Sequence, residues 1–125
     1  MFRSLFRSPP AVAPVGPGPL NIKSITAPEL NERIQNGEKL LLVDVRTTPE
    51  YAHEGHIAGS RLLPLNMLPR RVGELPKDAA IICICRSGNR SQAACEQLAS
   101  LGYEDVTNLA GGMFGWQRAG LPIER

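Results

Sequence analysis

The sequence predicts an α/β domain of three layers, a mainly parallel central sheet flanked by helices on both faces. Three observations predict it. Leu40 to Val43, continuing to Val45, and Ala79 to Cys85 are apolar runs without the polar alternation of a half-solvated sheet, as expected of parallel strands covered on both sides. Ser91 to Leu101 places Ala94, Cys95, Leu98 and Leu101 on one helical face. Strand-like and helix-like segments alternate along the chain, the pattern of strands joined by helical crossovers.

Taken in order, Asn21 to Ile25 reads as a first strand. Thr26 and Glu29 have capping-box spacing, in which a hydroxyl and a carboxylate satisfy amides left free at a helix start, and Gly37 suits a left-handed C-terminal cap. A helix over 27–36 follows. After the Leu40–Val45 strand, Thr48 reads as an N-cap and Pro49 as the first residue of a short helix through Tyr51 and Ala52. Ser60 to Pro64 reads as a brief strand, and Asn66 to Val72 as a helical segment interrupted by Pro69. The Ala79–Cys85 strand leads to the helix over 91–101, stopped by Gly102. Asp105 to Leu109 is another strand, Met113 to Arg118 a last helix after the Gly111-Gly112 turn, and Leu121-Pro122 the expected end of order.

The chain has 125 residues, enough for one domain. Its 14 Lys+Arg against 12 Asp+Glu give a net charge of +2. That surplus equals Arg3 and Arg7, which lie in a stretch without acids that also holds Pro9, Pro10, Pro14, Pro17 and Pro19. Residues 1–20 therefore read as a flexible Pro/Gly-rich tail, with a brief mitochondrial address as the alternative, and residues 21–125 as a charge-balanced domain. Balance and the lack of a Lys/Arg-rich run argue against nucleic acid, and no run reaches the roughly 18 to 20 apolar residues of a membrane span. Three cysteines, Cys83, Cys85 and Cys95, are too few and odd in number for a disulfide framework, which points to a reducing, cytoplasmic setting.

Chemistry concentrates in Cys85-Arg86-Ser87-Gly88-Asn89-Arg90-Ser91, between a strand end and a helix start. Ligands of open α/β sheets bind there, and free amides plus the positive end of the helix dipole make it an anion cradle. Gly88 and Asn89 tolerate the positive φ needed to turn successive amides inward. A thiol at the bottom of that cradle is held as thiolate, so Cys85 is the candidate nucleophile. Arg86 and Arg90 add two cations, and the backbone from Ser87 to Ser91 supplies donors. The implied substrate is a small anion attacked by sulfur.

This loop resembles the active-site loop of the rhodanese (thiosulfate sulfurtransferase) homology family. Leu42-Val-Asp-Val-Arg46, Pro49-Glu-Tyr51, Gly55-His-Ile-Ala-Gly59 and Pro64 are similar to its upstream signature, and Leu109-Ala-Gly-Gly112 with Trp116 to its closing one. The resemblance runs along residues 21–125. It implies that Cys85 takes the outer sulfur of thiosulfate or of a persulfide and passes it from a Cys85 persulfide to a thiol, cyanide or a sulfur-acceptor protein. It implies no metal or organic cofactor. Two alternatives are a sulfur-relay or regulatory partner with low small-molecule turnover, and a phosphatase or arsenate reductase of the same fold. Phosphatases of the cell-division-cycle type use Cys-x5-Arg, whereas Cys85 and Arg90 are spaced as Cys-x4-Arg.

Other eye-catching residues read as structural. Cys83 and Cys95 are expected to be buried thiols, without the further ligands a zinc site needs. His53 and His56 are expected to be exposed or hydrogen-bonded. Asp44 and Arg46 are expected to form ion pairs, Arg46 with Glu50. Trp116 and Phe114 read as core and edge packing, and Arg70-Arg71 as a solvated face.

Overall fold

Five strands, all parallel, form one sheet in the order β1-β5-β4-β2-β3 in the computed structural model, which describes residues 22–125. The strands are β1 (Lys23–Ile25), β2 (Leu41–Asp44), β3 (Arg61–Leu62), β4 (Ile81–Ile84) and β5 (Val106–Leu109). The helices are α1 (Ala27–Gln35), α2 (Thr48–His53), α3 (Leu68–Arg71), α4 (Asn89–Ser100) and α5 (Gly112–Arg118). The tail expected over residues 1–20 lies outside the described residues. Among the described residues, no helix is long and apolar enough to cross a membrane.

Strand alternation sorts the apolar side chains into two cores. Ile81, Cys83 and Cys85 face one way and pack with Val43, Leu68, Ala94, Cys95 and Leu98, under α3 and α4. Ile82 and Ile84 face the other way and meet Leu30, Leu109, Met113 and Trp116, under α1 and α5. All four residues of β4 are buried, which explains its unbroken apolar run. Each such side chain contributes about 1.5 to 3 kcal/mol relative to exposure, so the central strand and the cysteine that ends it are firmly placed.

Several boundaries differ from the sequence expectation. α2 is capped by Thr47, not Thr48: the Thr47 hydroxyl accepts from the Glu50 amide, and Glu50 in turn accepts from the Thr47 amide at 2.9 Å. Pro49 sits inside the first turn, where its missing N–H costs nothing. Pro69 likewise sits in the first turn of α3 instead of interrupting it, after a 3-10 turn over Leu65–Met67. α4 starts at Asn89, two residues earlier than expected, because Gly88 at φ 109° makes the turn alone. The chain also stays ordered past Pro122. Glu124 and His56 exchange backbone hydrogen bonds of 2.8 Å in both directions, and the Trp116 indole donates to the Pro122 carbonyl at 2.8 Å.

Candidate active site

The parallel registers Asp44 to Ile84 and Cys83 to Asn108 bring the carboxyl ends of β2, β4 and β5 to one edge, with β4 between the other two. Cys85 follows β4 there and is 1% exposed. Its Sγ accepts the Gly88 amide at 3.0 Å and the Ser91 hydroxyl at 3.2 Å. Burial by itself pushes the thiol's pKa up. The Ser91 hydroxyl and the amides of Ser91, Gly88 and Ser87 outweigh that and hold it below its ordinary value. The sulfur thus sits in a cradle of backbone and hydroxyl donors that favour its thiolate form.

Two glycines make the cradle possible. A side chain at Gly88 would press on the Gly111 amide at 3.3 Å, and its left-handed φ turns the 87–88 amide toward the sulfur. Gly112 lies against the loop from the other side. A Cβ there would collide with the Cys85 carbonyl and stand 2.7 Å from the Arg86 carbonyl. With Gly112 bare, the first turn of α5 closes over the loop, Met113 donating to the Cys85 carbonyl at 2.8 Å and Phe114 to that of Arg86 at 3.0 Å. The Gly111-Gly112 turn expected from sequence therefore serves the site directly.

The two loop arginines are held by carboxylates of α2 and its C-cap. Arg90 makes two 2.7 Å hydrogen bonds to the two Glu50 oxygens. This pairing, opposed by burial and helped by Thr47, holds Glu50 well below the usual carboxylate range, at about 2. Arg86 is half exposed, 3.3 Å from Glu54, and its guanidinium lies 4.8 Å from the centre of the Phe114 ring. Phe114 is 46% exposed at this edge. Ser87 and Asn89 are exposed, Gly88 and Ser91 buried. Asn89 opens α4 instead of helping to form the turn.

Arg46 does not pair with Glu50, correcting the sequence expectation. It is fully buried and bonds Asp44, two residues back on the same side of the strand, through Nε at 2.9 Å and Nη2 at 2.8 Å. Nη2 also donates to the Gly55 carbonyl at 2.8 Å, while Nη1 is buried without a partner. A buried guanidinium takes the nearest carboxylate, which leaves Glu50 for Arg90.

The remaining expectations are met by burial and bonding. Cys83 and Cys95 are free, buried thiols in the α4-side core. Their mutual contact, with burial next in importance, pushes the Cys83 pKa well up, the opposite of Cys85. His53 is exposed, and His56 stacks on Tyr51 with ring centres 3.8 Å apart and bonds the Tyr51 carbonyl through Nδ1 at 2.9 Å. Trp116 is core, and Arg71 pairs with Glu74 on the surface.

Sequence reasoning missed three participants. Glu50 was read as a partner of Arg46, since nothing local signals Arg90, 40 residues away. Glu54 carried no signal. Asn108 did: it is a polar residue in the buried strand Val106–Leu109, and it bonds both the Ser91 hydroxyl and the Gly88 carbonyl.

Comparison with known proteins gives the same domain. The Rhodanese-like domain family model matches residues 26–119. The chain is 43% identical over 102 residues to a protein of Allochromatium vinosum named sulfurtransferase, covering 82% of this chain and 94% of that one. A rhodanese-like domain protein of Staphylococcus aureus superposes with a TM-score of 0.73 at 34% identity, covering 82% of this chain and 99% of the other. A rhodanese-related protein of Thermoplasma volcanium gives 0.73 at 35% identity, over 82% and 97%.

Proposed function

Because this chain belongs to the rhodanese-like family, we propose that it is a sulfurtransferase in which Cys85 carries sulfane sulfur as a persulfide. The observation that carries the reading is the Cys85 sulfur itself, buried at the end of the central strand and met by the Gly88 amide and the Ser91 hydroxyl. In the first half-reaction the thiolate attacks the outer sulfur of thiosulfate or of a persulfide donor. The donor's S–S bond breaks, its electron pair leaves with sulfite or with the donor thiolate, and the new S–S bond leaves a negative charge on the outer sulfur of Cys85. In the second, cyanide, a thiol or an acceptor protein attacks that sulfur and Cys85 departs as thiolate. The preorganised loop amides stabilise the charge before and after transfer.

The domain over residues 21–125 is proposed to be the catalytic unit, and residues 1–20 dispensable. A chain lacking residues 1–20 should keep sulfur transfer.

The test is thiocyanate formation from thiosulfate and cyanide by wild type and Cys85→Ser, with intact mass after donor treatment. Wild type should gain the mass of one sulfur atom, and Cys85→Ser should neither gain it nor turn over. Activity that survives in Cys85→Ser would falsify the assignment, and turnover of an aryl phosphate without sulfur loading would favour the phosphatase chemistry. A relay role has its own support. Both loop arginines already carry carboxylate partners, so a free dianion such as thiosulfate must rely on amides or displace Glu50 or Glu54. Slow thiosulfate turnover beside fast discharge of the Cys85 persulfide onto a protein acceptor would identify the relay.

A further inference from the structure

The Ser91 hydroxyl has one proton and two neighbours that want it. Its oxygen lies 3.2 Å from the Cys85 sulfur and forms a short hydrogen bond to Asn108 Oδ1. The Asn108 amide cannot reverse to relieve this, because its Nδ2 donates to the Gly88 carbonyl at 3.1 Å; reversal would set two carbonyl oxygens against each other. Asn108 is 8% exposed, so water does not readily replace the missing donor. When the proton points to Asn108, the hydroxyl oxygen presents lone pairs to the sulfur, an arrangement that suits S–H. When it points to the sulfur, the thiolate is served, and Asn108 Oδ1 faces those lone pairs without a donor.

We propose that Asn108 is a positioning residue that competes with the Cys85 sulfur for the single Ser91 proton, and so favours the protonated and sulfur-loaded states over the free thiolate. The first half of the proposal stands on the geometry alone. The second rests on the sulfurtransferase reading: in a persulfide the negative charge sits on the outer sulfur, Sγ becomes a weak acceptor, and the Ser91 proton returns to Asn108. Free thiolate is thus the state in which a buried acceptor goes unserved, and loading restores it.

The charged and titratable groups around the sulfur are Cys83 on β4, Arg86 and Arg90 of the loop and α4, Cys95 on α4, and Asp44 at the end of β2, with Glu50 behind Arg90. None is altered in the variants that test the idea. The experiment follows iodoacetamide modification of Cys85 against pH in the full chain, assigned to Cys85 and not Cys83 or Cys95 by peptide fragmentation, for wild type, Asn108→Ala, Ser91→Ala and the double variant. Removing Asn108 while Ser91 is present should lower the pH midpoint, with roughly 2- to 10-fold more reactive thiolate about one pH unit below the wild-type midpoint. In the Ser91→Ala background the same change should lose that gain. Loosening of the Gly88 carbonyl occurs in both backgrounds and cancels in the difference, and Asn108→Leu, which fills the space, replaces Asn108→Ala if the latter does not fold.

A difference between backgrounds that is zero, or that raises the midpoint, overturns the competition. Sulfur loading by thiosulfate, read by mass on the same samples, separates the two ideas. Loading with no Ser91-dependent shift removes the role of Asn108 and spares the sulfurtransferase reading. The shift without loading in any variant does the reverse.

Discussion

The ends of β2 and β4 are neighbours in the sheet, yet they treat charge in opposite ways. At the end of β2, Asp44 and the Arg46 that follows it are both fully buried and neutralise each other through side chains. After β4, the Cys85 sulfur is met by one amide and one hydroxyl at 3.0 and 3.2 Å, with the arginines standing off on Glu50 and Glu54. A side-chain counter-charge fixes a position because neither partner can leave without stranding the other. Backbone donors instead favour whatever negative charge occupies the pocket, so in the proposed reaction the loop amides serve a thiolate and an outer persulfide sulfur alike. One strand end behaves as a bolt, the other as a socket.

The largest effect that tests this contrast is on the bolt. Asp44→Asn leaves a buried guanidinium without its counter-charge and should cost about 3 to 5 kcal/mol, read by denaturant unfolding. A loss comparable to that of an exposed pair would mean that Asp44 and Arg46 are not the fixed element. Next is the lid of the socket. Gly112→Ala places a side chain at φ 54° against the Cys85 and Arg86 carbonyls, so about 1 to 3 kcal/mol of stability should go, together with persulfide loading. Full loading by Gly112→Ala would show that α5 need not close on the loop.

A smaller effect separates the arginine clamp from both. The Glu50 pKa is lowered in the folded chain, so its pair with Arg90 stabilises most at pH above about 4.5 and is lost as pH falls through about 2. Glu50→Gln should therefore be less stable than wild type by about 1 kcal/mol near neutrality, after solvent screening, and the gap should close on acidification. A gap independent of pH would place the effect in the α2 cap instead of the ion pair. Least of all, Phe114→Ala removes a ring beside Arg86 and should change stability by about 0.5 to 1 kcal/mol while leaving sulfur loading of Cys85 intact.

Much of the fold was legible because its signals are local. The Thr26–Glu29 capping box forms as read, with the Glu29 carboxylate 2.9 Å from the Thr26 amide, and the unbroken run before Cys85 became the buried central strand. Short-range rules failed by a residue or two where neighbours compete for one task, as Thr47 and Thr48 do for the α2 cap. Proline was misread at Pro69 because a ring that breaks a helix interior is well suited to its first turn.

At the site, the sequence by itself determined the nucleophile candidate and its cradle. A cysteine, a glycine free to take positive φ and a helix start lie within a few consecutive residues, so the chain's own geometry brings amides to the sulfur. Which carboxylate each arginine finds, and that Asn108 shares the Ser91 proton, only the tertiary structure decided. Those contacts join α2 to the loop and β5 to α4, and they exist because parallel register brings separate strand ends to one edge. Ion pairs and hydrogen bonds depend on distances of a few ångströms, and no spacing along the chain encodes a distance that the packing of other elements sets.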